Sequence, residues 1–233
     1  MNVKQSLRLA VLLVLVLATT SFAGIYYEQE LKTATQTMKT VCYISGSKMR
    51  VEMQGTGGNA VSIQRFDQGK VYNLMAENKM YMEMPIPKPG PEVEAQLQVT
   101  VTKTDETKKI GNYNCTRYDV TVKGAPRTPP EGMTTQYWTT TDVDVADEFA
   151  KFADAQTRSQ SAKQATEMAK MKGFPIQVEV TTPAGKMTMT VTTVKKQDVP
   201  DSMFEVPADY QKMAMPAPGA MPPAAPPQGG GAQ

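Results

Sequence analysis

From residue 25 onward the chain alternates apolar and polar positions at the two-residue period of a half-buried strand. Residues 25–31 and 37–44 carry Tyr26, Tyr27, Val41 and Tyr43, residue types that favour strands. Residues 48–53 alternate cleanly, with Met49, Val51 and Met53 on one side and Lys48, Arg50 and Glu52 on the other. Residues 61–66 read as the next strand. Ser45-Gly46-Ser47, the glycines at 55, 57 and 58, and Asp67-Gln68-Gly69 punctuate these runs. Turns in such quick succession predict an antiparallel meander of sequential neighbours.

The stretch 71–84 predicts a hairpin: Tyr72 and Leu74 alternate with polar or smaller residues, Glu77 and Asn78 interrupt, and Met80, Met82 and Met84 alternate with Tyr81 and Glu83. A turn with Asn78 in the left-handed conformation sets Leu74 opposite Met80 and Tyr72 opposite Met82, whereas a one-residue slip pairs Asn73 with Met82. The first register is expected, because it gathers the apolar residues on one face. Pro85, Pro87, Pro89 and Pro91 then predict an extended loop. Strands resume at 97–102, at 115–122 after a turn at Gly111-Asn112, and at 136–141 around Trp138, the only tryptophan.

Between 144 and 171 the period changes. Val145, Phe149 and Phe152 fall at helical spacing, as do Ala162, Ala165 and Ala169 with Met168 alongside, and the polar run 157–161 divides two helices. Gly173 and Pro175 stop the second. Two strands close the domain, one with Ile176, Val178 and Val180, the other with Met187, Met189 and Val191, and 204–207 is the last ordered element expected. Beyond Met213 the chain is uncharged and rich in proline, alanine and glycine, a composition that cannot bury enough to order itself.

At the other end, Lys4 and Arg8 precede a short apolar run, 9–18, followed by Ser21-Phe22-Ala23. This is the pattern of an export signal cleaved between Ala23 and Gly24. The run is about half the length a membrane span needs, roughly 20 residues, so no stable anchor is expected. The organisation predicted is a signal peptide at 1–23, one β-rich domain at 24–212 and a disordered tail at 213–233, in a periplasmic or secreted protein.

The charge balance narrows the function. Of 25 basic and 23 acidic residues the signal removes Lys4 and Arg8, leaving 23 of each. That argues against nucleic acid and against docking on anionic lipid, both of which need accumulated Lys and Arg. There is no histidine, so Ser-His and Cys-His pairs and most zinc or copper(II) sites are excluded. No catalytic motif replaces them; the expectation is a protein that is not an enzyme and carries no cofactor. Cys42 and Cys115, the only two cysteines, are expected to pair in an oxidising compartment.

The sharpest feature is the recurrence of methionine at period two, in Met80-x-Met82-x-Met84, Met187-x-Met189 and Met213-x-Met215, among 17 methionines. Three readings are open: plain core, where thioethers fill irregular gaps; the lining of a cavity for hydrophobic ligands; and a copper(I) site built on soft thioethers.

Several stretches in order, ISGSKMRVE, FDQGKVYNLMAENKMYMEMP, IGNYNCTRYDV, YWTTTDV, GFPIQVEV and MFEVPADYQKM, resemble a domain-of-unknown-function family of secreted bacterial proteins whose fold is related to the outer-membrane lipoprotein carrier. The resemblance implies a mainly β (α+β) fold, an antiparallel half-open β-barrel with helices packed on its concave side, used elsewhere to hold acyl chains. Lipidated relatives carry a cysteine at the mature start, where this chain has Gly24. The function expected is an exported soluble protein that binds a lipid or other hydrophobic molecule without catalysis. The ligand face expected comprises Met49, Val51, Met53, Tyr72, Leu74, Met80, Met82, Met84, Met187 and Met189. The alternative is a Met-rich copper(I)-binding or structural cell-envelope protein.

Overall fold

A computed structural model describes residues 23–55, 58–125, 128–129, 131–182 and 185–213; the expected signal segment through residue 22 and the tail beyond Met213 lie outside the described residues. The first meander runs through β1 (Ala23–Lys32), β2 (Thr37–Ser45), β3 (Lys48–Gly55), β4 (Gly58–Arg65), β5 (Lys70–Met75) and β6 (Met80–Pro85). Helix α1 (Pro91–Gln96) leads into β7 (Gln98–Ile110), β8 (Tyr113–Lys123) and β9 (Met133–Thr140). Helices α2 (Ala146–Gln160) and α3 (Ala162–Met168) follow, then β10 (Phe174–Thr182), β11 (Gly185–Asp198) and a short β12 (Gln211–Lys212). All twelve strands form one sheet in the order β12-β6-β5-β4-β3-β2-β1-β11-β10-β9-β8-β7.

Two meanders are thus joined at β1, which pairs antiparallel with β2 on one side and with β11 on the other. The sheet is open, with β12 and β7 at its edges. It must also bend. Strands β6 and β7 stand ten strand steps apart, about 48 Å across a flat sheet at ~4.8 Å per step. The chain between them is residues 86–97, six of them in α1; six helical and six extended residues reach only about 30 Å. So short a connection draws the two halves of the sheet toward each other.

The turn chemistry explains the local boundaries. Pro91 at the first position of α1, followed by Glu92 and Glu94 in its first turn, makes a helix start inside the proline-rich loop where only extended chain was expected. The break between α2 and α3 falls at Ser161, whose Oγ accepts from the backbone N–H of Gln164 at 3.2 Å and donates to Glu94 at 3.0 Å. Strand β7 continues to Ile110 through a polar stretch, with a register shift between Lys103 and Thr107, well past the expected end at 102. Its edge is partly covered: Glu167 on α3 accepts from the backbone N–H of Val101 at 3.2 Å.

The hairpin register is the one the apolar pattern argued against. Asn73 lies opposite Met82, Leu74 opposite Tyr81, Tyr72 opposite Glu83 and Met75 opposite Met80. The reason is the turn, in which Ala76–Asn78 forms a 3-10 turn and Lys79, not Asn78, takes the left-handed conformation with φ 51°. Leu74 and Tyr72 do bury themselves, but on the other face. There Ile63, Leu74, Val199 and Phe204 form a core, with Tyr43, Tyr72, Tyr81, Met203, Val206 and Tyr210 packed against it. The C-terminal segment closes this core, held by Lys48 on Asp201 at 2.6 Å, Arg50 donating to the Met203 carbonyl at 3.2 Å and Lys79 on Asp209 at 2.8 Å.

The expected disulfide is absent. Cys42 and Cys115 are both free and buried, on β2 and β8, which are separated by β1, β11, β10 and β9. Each fills a place in the core as a small apolar residue.

Two consequences of this architecture can be measured. Gly173 has φ 86°, and a Cβ there would lie 2.3 Å from the Thr140 carbonyl oxygen. Gly173→Ala is expected to cost about 2 kcal/mol and to lower the melting temperature by roughly 4–8 °C, read by circular dichroism. The second concerns the clasp that joins β12 to β6. The Glu83 carboxylate, held by Lys212 and Lys70 at 2.7 and 2.8 Å, is pushed down to about 2. A folded value below the unfolded one means the clasp contributes above about pH 4.3 and is lost as pH falls through about 2. NMR should place the Glu83 midpoint near 2, with Lys212→Met and Lys70→Met together returning it toward about 4.3; a midpoint unmoved by both changes refutes the clasp.

Candidate ligand-binding face

Cross-strand partners share a face, so the register sorts β1 to β6 into two surfaces. One carries the row Ile25, Ile44, Met49, Gln64, Val71 and Met84, the row Tyr27, Cys42, Val51, Ser62, Asn73 and Met82, and the row Gln29, Thr40, Met53, Ala60, Met75 and Met80. Leu31 and Met38 extend it. Across β11 and β10 it continues through Met189, opposite both Leu31 and Val178, and through Met187 opposite Val180. None of these residues is charged. The alternate positions of β1 to β6 hold Glu28, Lys39, Arg50, Glu52, Arg65, Lys70 and Glu83. Even the titratable groups of the uncharged face stay neutral: burial pushes the Tyr27 hydroxyl well above its ordinary value and the Cys42 thiol up.

Helix α2 covers part of this face. Its stripe Val145, Phe149 and Phe152 meets Phe174 and Tyr27 from the sheet, with ring centroids 4.8 Å apart for Phe149 and Phe174 and 5.6 Å for Tyr27 and Phe174. Phe152 meets Phe66 at 5.6 Å. Together with Ile25, Cys42, Ile44, Ile176 and Val191 these rings belong to one core.

The cover leaves a cavity of about 230 Å³ between α2 and the sheet, lined by Tyr27, Gln29, Met49, Phe149, Phe152, Gln156, Phe174, Pro175, Ile176, Val178, Met189 and Val191. Among the described residues no charged side chain lines it. Its two ends differ. Ile25, Ile44, Val145 and Phe174 are at most 1% exposed and seal one end. Toward the other, burial falls along every element: Gln29 and Leu31 on β1, Met38 on β2, Gln156 on α2 and Met189 on β11 are half-buried, and Met187 is exposed. From that open end the uncharged face runs on, uncovered by α2, past Val51 and Met53 to Met80, Met82 and Met84.

Two hollows at least twice this size are differently made. One of about 460 Å³ lies between α2 and α3, over Ala150, Ala153, Ala165 and Met168. A groove of about 740 Å³ lies on the charged face beside Glu131, Glu179 and Lys186. Among the described residues no group of His, Cys, Asp and Glu is arranged to hold a metal ion, and no helix is long and apolar enough to cross a membrane.

With this geometry in view, comparison with known proteins is informative at the level of family and fold. A family model described as a domain of unknown function, DUF4412, matches residues 22–210. The chain belongs to the DUF4412 family. An uncharacterized conserved protein from Thermus thermophilus is similar in structure, with a TM-score of 0.50 at 10% identity over 83% of this chain and 91% of its own. That likeness establishes the fold alone. A MucA/MucB complex from Pseudomonas aeruginosa matches at TM-score 0.43 and 9% identity, over 87% of this chain and 62% of the other. A DUF1329 family protein from Desulfovibrio piger matches at 0.35 and 9%, over 80% and 91%. Neither of these two bears on function at such scores. A search of curated proteins found no match.

Of the residues expected on the ligand face of this DUF4412 chain, Met49, Val51, Met53, Met80, Met82, Met84, Met187 and Met189 do share one surface, and Met49 and Met189 line the cavity. Tyr72 and Leu74 do not belong to it. Sequence reasoning missed Phe174 at the start of β10 and the two glutamines. Both glutamines carry a readable signal, because each stands where the local period calls for an apolar residue: Gln29 after Ile25 and Tyr27 on a strand, Gln156 after Phe149 and Phe152 on a helix.

The face assignment predicts opposite outcomes for two similar substitutions. Leu74, 3% exposed in the outer core, cannot accept a carboxylate without a partner, so Leu74→Asp should lose about 3 kcal/mol or more in urea unfolding. Met82→Asp, half-buried on the uncovered strip, should lose less than about 1 kcal/mol. The reverse order would contradict the observed register.

Proposed function

We propose that this DUF4412 protein is an exported, non-catalytic binding protein that holds a lipid or other hydrophobic ligand on the uncharged face of a half-open barrel. The observation that carries this reading is a continuous uncharged, methionine-rich surface only partly covered by α2, with a cavity of about 230 Å³ beneath the helix. A protein face that merely filled a core would be sealed along its length, as it is around Ile25 and Val145. Here the packing stops partway and the methionines continue beyond it. Thioether side chains suit such a surface, since their flexible, polarizable stems repack around chains of different shape. Cavities that enclose most of a compact ligand run to about 300–1,000 Å³. The space under α2 falls short of that, which favours a long, thin ligand that begins in the cavity and ends on the strip.

The export signal fits this role, because apolar molecules need a protein to cross an aqueous compartment. The histidine-free sequence fits the absence of chemistry.

Native mass spectrometry of gently purified mature protein tests the reading. An adduct with the mass of an aliphatic lipid is expected, reduced in Met82→Asp and Met189→Glu variants that remain folded. A copper adduct lost on Met→Leu replacement at 80, 82 and 84 would transfer the site to the metal-binding alternative. No adduct, together with no binding of a hydrophobic dye, would overturn the proposal.

A further inference from the structure

Resting on the binding role just proposed, we infer that the ligand is an aliphatic chain with an uncharged, oxygen-bearing head such as an ester, amide or alcohol, recognised by Gln29 and Gln156. The first support is the placement of the two amides. On α2 the positions facing the sheet are 145, 149, 152 and 156, occupied by Val, Phe, Phe and Gln. On β1 the inward positions are 25, 27, 29 and 31, occupied by Ile, Tyr, Gln and Leu. Each series is apolar except for its glutamine, and both glutamines line the same cavity. Both stand on its open side, beyond the sealed end at Ile25 and Val145.

The second support is that the amides are unspent. Gln156 accepts at its backbone carbonyl from Ser159 Oγ at 2.6 Å, while among the described residues neither its side-chain amide nor that of Gln29 has a hydrogen-bond partner. Both side chains are half-buried at the open end, where water reaches them, so a ligand that displaces that water must replace its hydrogen bonds. An amide both donates and accepts, so a carbonyl or hydroxyl on the ligand satisfies it.

The third support is what the lining lacks. Among the described residues a carboxylate or phosphate head would meet no lysine or arginine in the cavity walls, and an ammonium head no aspartate or glutamate. A buried charge without a counter-ion is disfavoured far more strongly than a neutral dipole. The cavity therefore selects against charged heads, and the two glutamines supply the donors and acceptors for a neutral one.

The test uses the mature chain, N-phenyl-1-naphthylamine as a neutral fluorescent reporter, and three competitors of equal chain length: laurate at a pH where it is ionised, methyl laurate and monolaurin. The two neutral competitors should displace the dye at concentrations at least roughly tenfold below that for laurate. Gln29→Leu with Gln156→Leu, each competitor referred to the variant's own dye affinity, should weaken monolaurin more than methyl laurate and so narrow the difference between them. Gln156→Lys, at a half-exposed position, should invert the order and favour laurate. Dye that binds and is displaced equally by all three would overturn the inference while leaving the binding role intact. Failure of the dye to bind a folded protein would remove both.

Discussion

The pairing of β1 with β11 is the constraint on which the rest of the molecule depends. Without it the chain is two meanders, each with a bare edge and neither able to cover its own apolar face. With it, Ile25 and Tyr27 lie at the seam, facing Ile44 and Cys42 from one side and the helix α2 from above. Close approach at this seam is strict. A Cβ on Gly24 would meet the Ile44 carbonyl oxygen at 2.6 Å and a Val199 methyl at 2.7 Å, so the second residue of the strand is the one type that fits. The same place anchors both covers, since Val199 begins the outer segment and Phe174 begins β10.

Charge segregation follows from the alternation of each strand, but its consequence belongs to the whole sheet. Six strands in register add their uncharged faces into one surface too wide for a single helix of 15 residues. The short 86–97 connection bends that surface inward, and α2 seals it only at one end. What remains is a trade between stability and access: the sealed end holds the fold together, and the open end keeps apolar area from being buried within the chain. The opposite face shows the alternative outcome, in which Phe204, Met203 and Tyr210 complete a core and ion pairs tie it down.

Much of this was legible from the pattern of residues. Alternation located the strands from Ile25 to Val191, the change of period located the helices, and Gly173 marked their end. The polar half of β7 was not legible, because Lys103 to Lys109 are strand residues by virtue of their neighbour β8 and not by their own propensity. Nor was β12, two residues long and held by a parallel partner remote in the chain. The glutamines of the cavity were visible as interruptions of a period, yet nothing in the sequence places residues 29 and 156 on one cavity.

The hairpin at Tyr72 and Met82 shows where the boundary lies. The sequence by itself determined that two strands meet there and that each has an apolar stripe, because alternation is a property of a single strand. It did not determine which stripes match. Matching apolar to apolar presumes one buried face, and here both faces bury something: Leu74 and Tyr72 under the C-terminal segment, Met80, Met82 and Met84 on the surface that continues from α2. Only the tertiary structure, through a turn with Lys79 in the left-handed conformation and a segment more than 100 residues downstream, decided which side each stripe serves. The two cysteines make the same point. Their number and apolar character are matters of composition, but their separation across the sheet depends on the order in which strands pair, which is set by contacts remote in the chain.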